Sequence, residues 1–318
     1  MLYSPQLMHI PDGFLSIVIS IICWVITVVI IGVAVSRTNK SLGERQVPLM
    51  GVMAAFIFAA QMINFPIAGG TSGHLLGGAL AAITLGPWAG MLVMTAVIAV
   101  QGLLFQDGGL LVMGANILNM GLLTAAVGYG LYRSVLGKNQ RMRLAVAGVA
   151  AWLSVMTGAL ATALQLWLSG TARVDIVVPA MLTVHAFIGL GEALITVAAL
   201  GFIFRTRPDL LDEESASAQG SRGWIMAGMV IALVVILLSP LASTNPDGLN
   251  RVAMNLGFIN SAQAGSGPLA GYTISLFENA SLSKIAAGTV GALVVLVVAF
   301  LAGRTLQKKS QIENRKSN

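Results

Sequence analysis

The sequence predicts an all-α fold: a polytopic membrane helix bundle of about nine transmembrane helices, with the N-terminus outside and the C-terminus cytoplasmic. Three observations predict it. Of the 318 residues 56% are hydrophobic and only 9% are charged, where a soluble domain carries about 25% charged residues. The apolar residues fall in continuous runs, several near the ~20 residues that cross a bilayer as a helix, rather than in the short alternating segments of a β-barrel. The basic residues between the runs fall almost wholly on alternate loops.

The apolar segments are 14–36, 48–64, 75–86, 88–105, 110–132, 144–168, 176–204, 224–241 and 283–303. The third is short, and Gly86-Pro87-Trp88 parts it from the fourth. Irregular backbone at membrane depth is tolerated where it lines a cavity, so this interruption marks a candidate binding region. With the N-terminus outside, the inner segments hold Arg37, Lys40 and Arg45, then Arg133, Lys138, Arg141 and Arg143, then Arg205, Arg207 and Arg222, then Arg304, Lys308, Lys309, Arg315 and Lys316. Only Arg173, Arg251 and Lys284 of the 18 basic residues stay outside. That division follows the positive-inside rule, and a wrong count of spans would scramble it.

The organisation follows. Residues 8–204 form a seven-span part and 224–303 a two-span part with a long outer loop, 242–282. Between them 205–223, rich in Ser, Asp and Glu, reads as a cytoplasmic linker, and 304–318 is a basic cytoplasmic tail. The extension 1–7 is too short and lacks an apolar core for a signal peptide. The net charge of +6 is explained by the inner loops and does not point to nucleic acid. The one cysteine, Cys23, lies within the first apolar run and reads as a small apolar filler. No G-x-x-x-x-G-K-[ST] occurs, so ATP hydrolysis through a P-loop is excluded, and the H-E-x-x-H helix of zinc proteases is absent.

The chemistry centres on three histidines. His9 sits in Met8-His9-Ile10-Pro11-Asp12-Gly13, just before the first span, and His74 ends a Pro- and Gly-rich stretch from Asn64 at the outer entrance to the third span. A single histidine at a membrane interface is usually an amphipathic side chain. Two on one side, each flanked by residues that fix irregular backbone, point to a metal, because imidazole suits Zn, Cu, Fe and Ni. If the mature chain begins at Met8, its free amine, the next amide nitrogen and the His9 ring can close fused chelate rings on one ion, with His74 as fourth donor. A planar nitrogen set favours Cu(II) or Ni(II) over tetrahedral zinc. Residues 1–7 are then expected to be absent or removed.

His185 lies within the seventh span, seven residues before Glu192, which is the only acid deep within a predicted span. Two readings stay open: an internal His185–Glu192 pair that locks helices, or a role in ion passage. Gln101, Asn116 and Asn119 are amides within or beside spans and read either as interhelical glue or as supports for the metal-bearing segments. Asn64 and Ser72 join Gln101, Asn116, His185 and Glu192 as candidates for orienting ligands or lining a pathway. Asp107 stands at the outer mouth. The 15 methionines are scattered and read as packing rather than a copper(I) site.

Met8-His9-Ile10-Pro11-Asp12-Gly13, Asn64-Phe65-Pro66, Gly69-Gly70-Thr71-Ser72-Gly73-His74-Leu75-Leu76-Gly77-Gly78, the DGG…GAN…NM pattern at 107–120 and His185…Gly191-Glu192 together resemble the CbiM/NikM family over roughly residues 8–204. These are substrate-capture (S) subunits of energy-coupling-factor importers for cobalt and nickel. Ser243-Thr244-Asn245-Pro246-Asp247-Gly248-Leu249 is similar to the PDGLE module, with Asn250 where that module has Glu. The resemblance implies a multi-pass subunit of the plasma membrane that is not an enzyme and holds no permanent cofactor. Ni(II) or Co(II) is its transported substrate. Its partners are a membrane coupling (T) subunit, two ATP-hydrolysing subunits and lipid. It implies metal ligands at Met8, His9 and His74. The rival classes are an intramembrane metalloenzyme built on His185 and Glu192, and an autonomous channel or secondary carrier.

Overall fold

The computed structural model describes residues 8–43, 46–208, 211, 223–263, 267 and 269–317. The extension 1–7, Arg45, Arg222 and most of the linker lie outside them. Each of the nine apolar segments falls on helix: α1 (Ile17–Ser41), α2 (Gln46–Gln61), α3 (Gly78–Leu85), α4 (Pro87–Val100), α5 (Met113–Asn116) continued by α6 (Thr124–Tyr132), α7 (Gln140–Leu168), α8 (Val174–Thr206), α9 (Gly223–Leu238) and α11 (Ala280–Ser317). A short α10 (Gly248–Leu256) lies in the loop between α9 and α11. Five of these stretches are long and apolar enough to cross a membrane: Ile17–Lys40, Pro87–Phe105, Gln140–Leu168, Val174–Thr206 and Ala280–Lys309.

The expected third span is the main difference. Its helix covers only Gly78–Leu85, about 12 Å of rise against a hydrocarbon core of ~30 Å. The backbone explains both ends. Gly77 is left-handed (φ 85°), and Gly86 (φ 83°) precedes Pro87 at the first position of α4. A proline there starts a helix at no loss, because its missing N–H has no partner in the first turn. All eight residues of α3 are buried, packed among α4, α6 and α7. The third segment is thus a buried half-helix, and His74 to Gly77 ahead of it are non-helical.

Around this half-helix α7 packs along α8 and α11 along α2. Two π-helical stretches, Gln101–Phe105 and Ile117–Leu123, flank the turn between α4 and α6. π-Bulges mark functional segments often enough to draw attention to this turn. The chain between α2 and α3 forms a small antiparallel hairpin, β1 (Phe65–Ile67) with β2 (Thr71–Gly73), and Ser72 also bridges in parallel to Asp247.

The two ends of the α7–α8 pair gather different loops. At one end Thr171 donates to the Phe14 carbonyl at 2.5 Å, and the outer loop joins in through Ser243 N–H to Asn64 O at 2.8 Å and Gln263 N–H to Asp12 O at 2.9 Å. At the other, buried Arg143 donates to the Tyr132 hydroxyl at 2.9 Å and to Leu211 O at 2.8 Å, its guanidinium 4.7 Å from the Phe204 ring centre. All three histidine-bearing segments belong to the first end or open towards it.

Candidate metal centre

The segment 8–12 has no regular structure of its own, and its backbone groups are satisfied by the turn between α4 and α6. The Met8 N–H donates to Asp107 Oδ1 at 2.7 Å. Ile10 is gripped on both sides by one amide: its N–H donates to Asn116 Oδ1 at 3.0 Å, and Asn116 Nδ2 donates to its carbonyl at 3.0 Å. Gly109 N–H adds a 2.9 Å bond to the same carbonyl. Asp12 accepts the Leu110 and Val112 N–H groups on its two oxygens at 3.0 and 3.1 Å. The segment is therefore held in place as an irregular arm, which fixes where His9 stands.

His9 and His74 come together. Their ring centroids are 5.8 Å apart at 66°, and they are 2% and 7% exposed. Each ring uses Nδ1 on a backbone carbonyl, His9 on Asp107 O at 2.9 Å and His74 on Leu75 O at 3.0 Å. With Nδ1–H donating, Nε2 of His9 carries the lone pair, the arrangement by which a carbonyl orients a metal-binding imidazole, whereas both ring nitrogens of His74 face carbonyls and either can carry the proton. His9 Nε2 is buried and has no hydrogen-bond partner, while His74 Nε2 lies 3.4 Å from Met8 O. Burial lowers the His74 pKa below its ordinary value, and the neighbouring His9 adds to the effect. A neutral ring is the form that binds metal.

A cavity of about 60 Å³ opens beside these rings, lined among others by Met8, His9, His74, Asn119, His185 and Asp247. That is room for an ion and a few waters. All three histidines of the chain thus face one space. His185 contributes through a ring whose Nδ1 is bonded to Met181 O at 2.7 Å. Of the two readings of His185 and Glu192, the direct pair does not form among the described residues. Seven residues of helix place the two about 10 Å apart along the axis, beyond hydrogen-bonding reach. Glu192 instead accepts the Leu76 and Gly77 N–H groups at 2.6 and 2.8 Å.

The loop between α9 and α11 lines the site through Asp247, Gly248 and Leu249. Ser72 N–H donates to Pro246 O at 2.9 Å and Ser72 Oγ to Asn245 O at 2.8 Å. This stitches Pro246-Asp247-Gly248 onto the His74 hairpin. Asp247 caps α10 by accepting the Asn250 N–H at 2.8 Å, and burial pushes its pKa up to about 8, with Asp107 nearby contributing in the same direction. Tyr272 donates to Asp107 Oδ2 at 2.6 Å, and its own pKa is driven well up, first by burial and then by that carboxylate. Gln101 is fully buried behind this turn, its carbonyl accepting the Asp107 N–H at 3.1 Å. Asn119 faces α7, bonded to Thr162 and Gln165 at 3.1 and 2.7 Å, as interhelical glue. Asn64 supports the outer loop through its carbonyl, not the metal centre. Sequence reasoning missed Tyr272 and the grip of Asp12 on residues 110–112. A lone tyrosine in a polar loop carries no signal of its own, whereas the Asp-Gly after Pro11 did signal a fixed turn.

Residues 9–210 match the CbiM family, described as a cobalt uptake substrate-specific transmembrane region. The chain belongs to this family. Residues 222–308 match the PDGLE domain, so the CbiM region is followed in one chain by that module. The fused nickel transport protein NikMN of Rhodobacter capsulatus is 30% identical over 346 residues, covering 95% of this chain and 100% of that protein. The cobalt transport protein CbiM of Sorangium cellulosum is 35% identical over 173 residues, 52% of this chain and 76% of that protein. A crystal structure of a truncated transition metal transporter, 34% identical, superposes with a TM-score of 0.57 over 62% of this chain and 99% of its own. As a CbiM-family protein with five membrane-length helices, the chain is a multi-pass membrane component of transition-metal uptake. CbiM-family proteins are transport components that work with partner subunits.

Proposed function

We propose that this chain captures one Ni(II) ion, with Co(II) as the alternative cargo, on nitrogen donors from Met8, His9 and His74. The observation that carries the reading is the convergence of His9 and His74, from separate segments, with Nε2 of His9 buried and unpartnered beside the cavity. Among the described residues no three His, Cys, Asp or Glu side chains gather as a metal cluster. The remaining donors are assigned to the backbone: in a chain that begins at Met8, its amine and the His9 amide nitrogen. Closing fused chelate rings through His9 needs Nδ1, which now lies on Asp107 O. Capture then turns the His9 ring about Cβ–Cγ, moves the ring proton from Nδ1 to the unpartnered Nε2, and releases the His9 amide proton to water as the metal binds. Four nitrogens in a plane favour Ni(II), and the named fused relative carries nickel.

The division of the basic residues supports a metal centre on the outside and Arg143 on the inside, with the two parts of the chain joined by a cytoplasmic linker at 205–223. In this reading uptake is completed, as the family resemblance implies, by a separate membrane coupling (T) subunit and two ATP-hydrolysing subunits, and the lack of a P-loop in this sequence agrees with it. The deciding experiment is intact mass with and without nickel, plus mapping of the N-terminal peptide. The expected result is a chain beginning at Met8 that carries one nickel. A chain beginning at Met1 that binds nickel equally well removes the amine from the donor set. Nickel accumulation by vesicles holding this chain alone, without ATP, would instead favour an autonomous carrier.

A further inference from the structure

The turn that carries His74 is held by side chains of two helices, and its amides by one of them. Glu192, midway along α8, is 1% exposed. Both of its oxygens are engaged, Oε2 by Leu76 N–H at 2.6 Å and Oε1 by Gly77 N–H at 2.8 Å. These are amides at the entrance to α3, whose N-cap Gly77 supplies no side-chain hydrogen bond. A helix start needs partners for its free N–H groups, and here α8 provides them. The far side of the same turn is fixed by Gln61, which donates to Leu76 O at 2.8 Å, and by His74 Nδ1 on Leu75 O. His74 is thus only two residues from the first amide that Glu192 holds, and no regular structure intervenes.

We propose that Glu192 is the positioning residue of the metal site, setting the reach of His74 by clamping Leu76 and Gly77. The proposal rests on His74 being a metal ligand. The chemistry requires a carboxylate of this length. Two N–H donors converge on two acceptor oxygens, whereas a glutamine offers one oxygen and turns its NH2 group against the second donor. An aspartate keeps both acceptors but retracts them by one methylene, about 1.5 Å. Metal–nitrogen bonds tolerate errors of about 0.2 Å, so a clamp moved that far weakens the His74 bond. A merely structural cap would change stability and leave the bound ion as it was.

The test uses the full chain in detergent, comparing wild type with Glu192→Gln, Glu192→Asp and His74→Ala. Nickel affinity, the visible absorption of bound nickel and the nickel-free unfolding midpoint are read for each. The expected result is loss of nickel by His74→Ala. Affinity should weaken at least tenfold with altered absorption in Glu192→Gln, and the change in Glu192→Asp should be intermediate. Wild-type affinity and absorption in Glu192→Gln, alongside a nickel-dead His74→Ala, overturn this proposal alone. Wild-type binding by His74→Ala overturns it together with the ligand assignment. If Glu192→Gln does not fold, hydrogen exchange in the wild type decides. Slow exchange at Leu76 and Gly77, slower still with nickel, supports the clamp, and fast or nickel-indifferent exchange there overturns it.

Discussion

The Tyr272 hydroxyl donates to Oδ2 of Asp107 at 2.6 Å, while Oδ1 of the same carboxylate accepts the Met8 N–H at 2.7 Å. One acid therefore links the outer loop of the PDGLE module to the first residue of the proposed metal site. The Tyr272 ring is stacked on Phe105 at 4.8 Å, so Tyr272→Phe removes the hydroxyl and keeps the packing. A hydrogen bond to a carboxylate contributes about 1.5–3 kcal/mol, only part of which reaches Met8. The expected outcome is a rise of about tenfold in the nickel Kd, or about 1.4 kcal/mol, with an unchanged fold. Competition against a chromophoric chelator measures it. An unaltered Kd would mean that Asp107 is fixed without the loop.

Asn116 makes a second prediction. Its amide meets both the N–H and the carbonyl of Ile10, each at 3.0 Å. Asn116→Asp keeps the acceptor but sets an oxygen against the Ile10 carbonyl, which retains its Gly109 N–H bond, and that new buried oxygen is left unpaired at about 1–3 kcal/mol. The arm from Met8 to Asp12 should loosen and nickel binding weaken by about ten- to a hundredfold. Faster protease cleavage within residues 8–16 would accompany it. An arm that stays protected with full affinity would refute the role given to this residue.

Much of this was legible in the sequence, for identifiable reasons. Long apolar runs such as 176–204 must be helical in lipid, because backbone groups find no other partners there. His9 and His74 were legible because proline and glycine beside them announce fixed, irregular backbone. What failed was long-range partnership. The spacing of His185 and Glu192 puts them on one face but says nothing of which other segment each meets. The partners of Glu192 are backbone amides 116 and 115 residues away, and backbone amides carry no residue-specific signal. The short reach of α3 was hinted at by Gly86-Pro87, but its start at Gly78 depends on the left-handed Gly77.

Gly248 carries a steric prediction. A Cβ there would stand 2.8 Å from Ile188 Cδ1, 3.0 Å from Val184 Cγ1 and 3.1 Å from His185 Cε1. Two of these contacts are methyl groups on α8, and the third is a cavity-lining ring. Overpacking of this kind costs about 1–3 kcal/mol. Gly248→Ala should lift the Asp247 turn off the cavity, lowering the unfolding midpoint and speeding nickel release. Stopped-flow transfer of bound nickel to a chelator reads the second effect. Release at the wild-type rate would show that this turn does not cover the ion's route.

Asp247 gives the pH dependence. Its folded-state pKa is raised by burial from 3.8 to about 8. A group raised on folding contributes stability that is fully present below its unfolded value and is lost as pH rises through the folded one. Across the window from about 4 to about 8 the folded protein therefore keeps a proton that the unfolded chain has released. Asparagine is also a good N-cap, so Asp247→Asn should preserve the bond to Asn250 N–H while removing the titration. The wild-type unfolding midpoint should fall, relative to that of Asp247→Asn, as pH rises through this window. Below the unfolded value the two should converge. His74 acts in the opposite sense, since burial lowers its pKa from 6.5 and acid then favours the unfolded chain. That contribution is common to both proteins and cancels in the difference. Midpoints for the two nickel-free proteins, measured from pH 4 to about 8.5, test the assignment. Parallel curves would show that Asp247 is ionised in the folded protein, and that its carboxylate faces the cavity as a charge.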